Sequence, residues 1–558
     1  MKKQLLIISG LVSMSIGVYA QEDMKEAWTQ KYDHKTERVG TGLEGEGEVS
    51  YIATDKEITV FKTSNGDVVW TNKFKEITPN LRKIDELIPF WASDAMFLFD
   101  KKVGKDKLAV ISLTSGKVLW ESEKYQGLTD GAISYLPEKK GFLLSLSDGL
   151  VFVDAVTGEE KWETKQFVGA IGQYIYENGD IVVINVAPSH LMSLFKAFRN
   201  QIARIDLDNG NIKWTAKYNG IAEKKVITKE RVYDLTRKGD KLFLELNGIQ
   251  VFDFNTGATL WTATYDATPD VKKPKTVRYG GSVSGYVKIG VYETTAKPVR
   301  VGNDVYIVET TQKRDQKIKK YDANTGKLIW QSPEIKGAKC IPNLFVKDDK
   351  VIIQIGGVVE YQGRYMSVSK DANTGTTTWT YTDKVYYENV KPNGLQAFNT
   401  SDGTLAWDTE RFKKGITNSF SEGENIYVSS GKALYSIKST DGTVNYEVDV
   451  KNGGVGNATQ IRKHKDKIIV VGEKGVSAFN QVDGSYQYGN KYKRSEPVKQ
   501  IDNILLMVTE NNDFAAFNLD DCSYVKYNAK KDSQQELSED GNFVWAYEKK
   551  DVTKLKTR

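Results

Sequence analysis

Cysteine and histidine are scarce. In 558 residues there are two cysteines, Cys340 and Cys522, and three histidines, His34, His190 and His464. Two cysteines far apart do not make a disulfide framework. The histidines match no metal-ligand spacing and no Ser-His-Asp arrangement, and each reads as a surface loop residue. Charge of one sign is missing as well: 78 basic residues face 73 acidic ones, interspersed as in KDKL and EKKD. A mixed surface of this kind is not a phosphate-binding face, so nucleic acid is not expected as a partner. Disorder is not expected either, with 40% hydrophobic and 11% aromatic residues.

Long apolar runs are absent except at the start. Lys2 and Lys3 precede an apolar stretch over 5–18, and Val18 and Ala20 occupy the −3 and −1 positions before Gln21. This is the pattern of a secretory signal peptide over 1–20, with cleavage before Gln21. The run is shorter than the roughly 20 apolar residues of a membrane span. Gln21 stands where a lipid-anchored protein would carry Cys. The expectation is an exported protein, periplasmic or extracellular, with no transmembrane segment and no lipid anchor.

What the chain does have is a repeat. A short apolar strand leads into a turn ending in Gly, then three residues, then Trp: VFKTSNGDVVW (Trp70), VISLTSGKVLW (Trp120), FVDAVTGEEKW (Trp162) and RIDLDNGNIKW (Trp214). It continues as VFDFNTGATLW (Trp261), KYDANTGKLIW (Trp330), SKDANTGTTTW (Trp379) and AFNTSDGTLAW (Trp407). Two copies put Tyr in the slot, at Tyr446 and Tyr488, and AFNLDDCSYVK around Cys522 is a decayed last copy. Strand, Gly-bearing turn and strand make a β-hairpin. Runs such as GFLLSLS, KLFLEL, NIYVSS, KIIVV and ILLMV supply buried inner strands in front of it. Four strands per unit at this period predict an all-β propeller of four-stranded antiparallel blades, with about 8–11 blade units in one closed ring or two. EAWTQKYD, residues 26–33, resembles the Trp-bearing strand IKWTAKYN, so the N-terminal strand is expected to complete the last blade. The copy at Gly375 lies too close to Gly403 for a blade of its own, and 356–393 reads as an inserted hairpin within 21–558.

These hairpins resemble the tryptophan-docking repeat of the pyrroloquinoline-quinone (PQQ) type propellers, the fold of quinoprotein alcohol dehydrogenases, over nearly all of the mature chain. The resemblance implies that Trp70, Trp120, Trp162, Trp214, Trp261, Trp330, Trp379 and Trp407 dock each blade against its neighbour. The family's small first residue is Ala only at Ala397, Ala478 and Ala516, and is replaced by Val60, Val110, Phe152, Arg204 or Lys320 elsewhere. Quinoprotein dehydrogenases hold their cofactor over a disulfide between adjacent cysteines. This chain has no adjacent pair, no matching metal-binding segment and no CxxCH haem site. The resemblance is therefore closer to the exported scaffold propellers that assist outer-membrane β-barrel assembly, which implies no cofactor, no catalysis and a protein partner in the envelope.

Other motifs reduce to structure. DLDNG, residues 206–210, coincides with a hairpin turn and lacks the remainder of a calcium loop, and GGSVSG, residues 280–285, is followed by no helix. One non-repeat element, APSHLMSLFKAFRN at 187–200, has a helical pattern with Leu191, Phe195 and Phe198 on its apolar side. That side either lies on the propeller or contacts a partner. The long connection from Tyr265 to Asp304, carrying Lys272, Lys273 and Lys275, reads as a loop over a propeller mouth. The function expected is a protein-binding or assembly scaffold. The alternatives are a small-ligand or carbohydrate-binding propeller and a PQQ-dependent oxidoreductase.

Overall fold

The computed structural model describes residues 22–42, 48–102, 105–128, 130–146, 148–186, 200–219, 234–246, 248–264, 275–279, 282–292, 296–310, 316–370 and 377–558, with 275–279, 282–292, 359–370 and 377–386 taken as backbone. The expected signal peptide and the apolar helical pattern with Leu191, Phe195 and Phe198 lie outside the described residues.

Each repeat folds as four antiparallel strands. In the second blade these are Glu86–Phe90, Ala95–Asp100, Lys107–Ser112 and Val118–Ser122, paired in that order. Every residue of Ala95–Asp100 is buried, because both faces of the strand meet neighbouring blades, and its sequence AMFLFD accordingly runs apolar without alternation. The outer strand is different: Trp120 is buried and the residues around it are partly or fully exposed.

Eleven such sheets form one propeller. In ring order they span 38–73, 86–122, 133–164, 170–217, 234–264, 299–331, 343–408, 416–449, 458–491, 495–527 and 534–556. The eleventh is completed by Glu26–Lys31, which pairs antiparallel with Asp551–Lys556. Closure is visible in the packing. Apolar clusters fill successive seams, and one of them joins Trp545, Tyr547 and Val552 of the last blade to Ile52 and Phe61 of the first.

Two segments depart from the plain blade. The middle strands of the seventh blade, Lys350–Lys370 and Thr377–Asn399, are 21 and 23 residues long and stay paired from Lys350↔Asn399 to Lys370↔Thr377. The stretch 356–393 continues two strands of one blade as a paired ribbon. The ribbon leaves the blade at a register shift between Ile355 and Gly357. There Gly356 has φ +71° and a Cβ would lie 1.7 Å from the Pro392 carbonyl oxygen, so only Gly fits. The connection expected as a loop over 265–304 contains a hairpin, Lys275–Tyr279 and Ser282–Tyr292. Its second strand joins the ribbon, with Tyr286 opposite Tyr365 and Tyr292 opposite Tyr361. Of GGSVSG, the residues Ser282–Gly285 lie in the second strand of that hairpin. An apolar-poor, Lys-bearing segment reads as a loop when its pairing partner sits in another blade.

Candidate functional site

Antiparallel strands reverse direction at every step. The first-to-second and third-to-fourth turns of each blade therefore emerge on one face of the ring, and the second-to-third turns and blade-to-blade links on the other. The Gly–Trp turns belong to the first face.

At these turns the seams have a common geometry. In DANTGKLIW, Asp322 Oδ1 accepts hydrogen bonds from the Asn324 and Thr325 amides at 3.0 and 2.8 Å and from the Thr325 hydroxyl at 2.8 Å. Those bonds, the Thr325 hydroxyl first, hold the Asp322 carboxyl below its usual range. Gly326 follows at φ +69°, and a Cβ there would lie 2.3 Å from the Trp261 indole of the preceding blade. The indole Nε1 of Trp261 donates to Ala323 O at 3.2 Å. The same bond runs from Trp70 to Leu113 O, Trp120 to Ala155 O, Trp162 to Leu207 O, Trp214 to Phe254 O, Trp330 to Thr400 O and Trp407 to Ser439 O, at 2.8–3.2 Å. Trp28, in the N-terminal strand, donates to Ser64 O at 2.8 Å and faces Gly66 across the closing seam.

Trp379 is placed apart from the others. The Trp330 indole meets Gly403, so the seam passes over the copy at Gly375, and Trp379 sits opposite Val368 near the far end of the ribbon. His34 departs from the surface expectation. It is 4% exposed, with Nε2 2.9 Å from Thr59 Oγ1, because the link entering the first blade folds into the closing seam. His464 Nε2 lies 2.7 Å from Asp520 Oδ1, joining a turn of the ninth blade to one of the tenth. Cys340 and Cys522 are both free and buried, in separate places along the ring. Among the described residues no group of three or more His, Cys, Asp and Glu is placed to hold a metal ion.

The link face is uneven. The strand ends that bear the long connections, Val186 and Gln201 of the fourth blade, Lys217 and Asp234 before the fifth, Thr264 and Val299 after it, and the ribbon of the seventh, all lie on this face in one sector. Between the fifth and sixth blades the seam opens into a cleft of about 780 Å³ that runs from Asp234, Glu245 and Lys297 on the link side past Phe243 and Arg300 to Lys238 and Asn324 at the turns of the other face. Glu245 is 5% exposed and sits opposite Asp234 in the strand register. Arg300 reaches across the seam to Glu245 Oε1 at 3.3 Å and to Thr236 Oγ1 at 2.5 Å, with its guanidinium 4.4 Å from the Phe243 ring centre. Burial raises the Glu245 carboxyl above its usual range, and the Arg300 charge opposes that rise. Sequence reasoning missed both residues. The available signal was an acid inside the apolar run KLFLEL, where a buried charge requires a partner. Nothing in the sequence places Arg300 beside it.

A family model described as "Outer membrane protein assembly factor BamB" matches residues 13–233, 104–308, 245–394 and 391–551. The stretches overlap because a repeat can be aligned in more than one register. No curated protein sequence matches the chain. Among solved structures, BamB from Moraxella catarrhalis is similar at 14% identity, covering 69% of this chain and 93% of that one, with a TM-score of 0.31. The computationally designed Ika8 protein is similar at 12% identity over 72% and 100% of the two chains, TM-score 0.34. The C-terminal WD40 domain of Sif2 is similar at 8% identity over 74% and 93%, TM-score 0.35.

Proposed function

The chain belongs to the family of outer membrane protein assembly factor BamB, and on that premise we propose that it is an exported, non-catalytic scaffold that binds proteins during assembly in the cell envelope. The observation that carries the reading is the asymmetry of the ring. A propeller closed on itself and packed at its seams offers a rigid platform, and its longest connections leave one face in one sector. Connections on a rigid scaffold are where binding surfaces are commonly built. Among the described residues no helix is long and apolar enough to cross a membrane.

The test is site-specific photocrosslinking in the native envelope. A crosslinker in place of Lys297, at the edge of the elaborated sector, is expected to capture a discrete envelope protein. One in place of Lys161, on an outer strand of the third blade, is expected to capture none. Equal capture from both positions, or capture from Lys161 alone, removes the reading. The cleft beside Glu245 supports a second reading, a small polar ligand held between Glu245 and Arg300. Ligand-dependent change in thermal stability that disappears in Arg300→Ala would favour it.

A further inference from the structure

Beyond its blade the ribbon becomes a sheet of its own, and the two faces of that sheet differ in composition. Ser282–Tyr292 pairs with Lys350–Lys370, which pairs with Thr377–Asn399, and residues opposite one another in these ladders share a face. One such row is Tyr286, Tyr365 and Thr382, extended by Lys275 of the hairpin. Another is Tyr292, Tyr361 and Tyr386. Tyr361 and Tyr365 are four residues apart on one strand, and strand residues alternate between faces, so both rows belong to the same face. Between the rows, on that face, come Gly363 and Lys384 opposite it. The register thus gathers five tyrosines around one glycine.

The other face of the same span is of a different kind. It carries Gln362 opposite Val385 and Arg364 opposite Asp383, a mixed polar and charged set. The tyrosine face has no acid among its residues over 361–367 and 380–386; apart from Gly363 and Lys384 these are Tyr, Thr and Ser. A face buried against the rest of a chain is rich in Val, Ile, Leu and Phe instead. Among the described residues, Lys275–Tyr279 and Ser282–Tyr292 make their main contacts within this sheet. Gly363 is a second and separate sign. It pairs without a shift on the Thr377–Asn399 side, while beside it Ser282–Tyr292 shifts register between Val287 and Val291. Strand glycines mark places where a ligand comes close to the backbone, and bulges recur next to sites.

We propose that this face binds a glycan, whose sugar rings lie across Gly363 between the two rows of tyrosines. A phenol offers an apolar ring and a hydroxyl. A pyranose offers apolar C–H faces and hydroxyls, so the two match in both respects. Thr382 and Lys384 add a hydroxyl that donates or accepts and an ammonium that donates. With no carboxylate on the face, a polyamine or basic peptide finds no counter-charge, and two lysines fall short of the basic patch that a polyanion requires. Size decides against a folded partner. The rows enclose a patch of about 13 by 10 Å, well below the roughly 800 Å² per partner of a stable protein interface. A short saccharide fits it, and a second copy of the chain does not. Glycan binding here does not depend on the assembly role.

The probes are maltohexaose, cellohexaose and chitohexaose, each titrated against the full chain by isothermal titration calorimetry. Saturable binding of at least one is expected. It should weaken about tenfold or more in Tyr365→Ala, which removes an aromatic ring, and in Gly363→Val, which fills the space between the rows. It should stay within about twofold in Gln362→Ala, on the other face. An unchanged circular dichroism spectrum and melting temperature show that each variant is folded. Binding of none of the three, or unchanged binding by Tyr365→Ala or Gly363→Val, overturns the proposal. Binding lost in Arg300→Ala and kept in Tyr365→Ala also overturns it and moves the saccharide to the cleft between the fifth and sixth blades. So does capture of an envelope protein by a photocrosslinker in place of Tyr365 without hexasaccharide binding, which assigns the face to a protein partner. Hexasaccharide binding without crosslinks from Lys297 keeps this site and removes the assembly reading. Crosslinks from Lys297 without hexasaccharide binding do the reverse.

Discussion

At each seam an indole and a glycine occupy a shared space, and each is there because of the other. Trp261 lies where a Gly326 Cβ would be, 2.3 Å away. Truncating Trp261 to Ala should cost roughly 3–5 kcal/mol, measured by urea unfolding, since it empties a buried contact and a hydrogen bond. Gly326→Ala should cost about 1–2 kcal/mol from the left-handed backbone alone, and more from the clash. The double variant is then expected to be less destabilised than the sum, by about 1 kcal/mol or more, because removing the indole makes room for the methyl group. Strict additivity would mean that the two side chains do not share the space. This pairing was largely legible in the sequence, because Gly and Trp recur at fixed distance and the turn residues between them are ordinary turn formers. The cleft was not legible. Glu245 and Arg300 come from different blades, and no spacing within one repeat encodes a contact across a seam.

Among the strands, the informative one is the decayed copy AFNLDDCSYVK. Its docking slot holds Lys526, and Cys522 stands in the glycine position at φ +57°. The reason lies in the next blade. There the third and outer strands are Asp551–Lys556 and Glu26–Lys31, from opposite parts of the chain, so no turn joins them and no glycine waits for an indole. The space is filled another way: Met24 donates its amide to Lys526 O at 2.8 Å and packs with Leu506, Ala516, Leu537 and Leu555, beside Val525. Met24→Ala should therefore cost about 2–5 kcal/mol in thermal or urea unfolding, whereas Lys526→Ala should change stability by less than about 0.5 kcal/mol. A large effect at Lys526 would show that the slot still docks. The closing strand was legible because its Trp sits in a familiar context. Glu22–Asp23 was not, because two acidic residues carry no strand pattern and they pair with the outer strand Tyr524–Tyr527, which has no register shift. The ribbon was half legible: its out-of-step Gly375 marks an insertion, but nothing marks the length of the strands that carry it.

At the scale of the ring, counting slots with the copy at Gly375 set aside left about 8–11 units in one ring or two, and one closed ring of eleven is the outcome. A closed ring has no terminal blade from which to fray. The two buried thiols report on this: burial pushes the Cys340 thiol up to about 12, and that of Cys522 higher still. Neither is nucleophilic at neutral pH while the ring is intact. Alkylation by iodoacetamide, followed by mass spectrometry in rising urea, should modify both cysteines in step as the molecule opens. Earlier modification of Cys340 would place a local opening near the seventh blade. Closure also sets a timetable. Thr29 and Thr553, whose hydroxyls lie 3.1 Å apart, are separated by 524 positions. A strand thus pairs with a partner 524 positions away, and contacts of such separation form slowly. Until then both halves of the final blade are open edges exposed to misassociation. The clasp is therefore a check on completeness: the ring closes only when both of its strands are present, and a copy lacking Asp551–Lys556 leaves Glu26–Lys31 without the strand it pairs with.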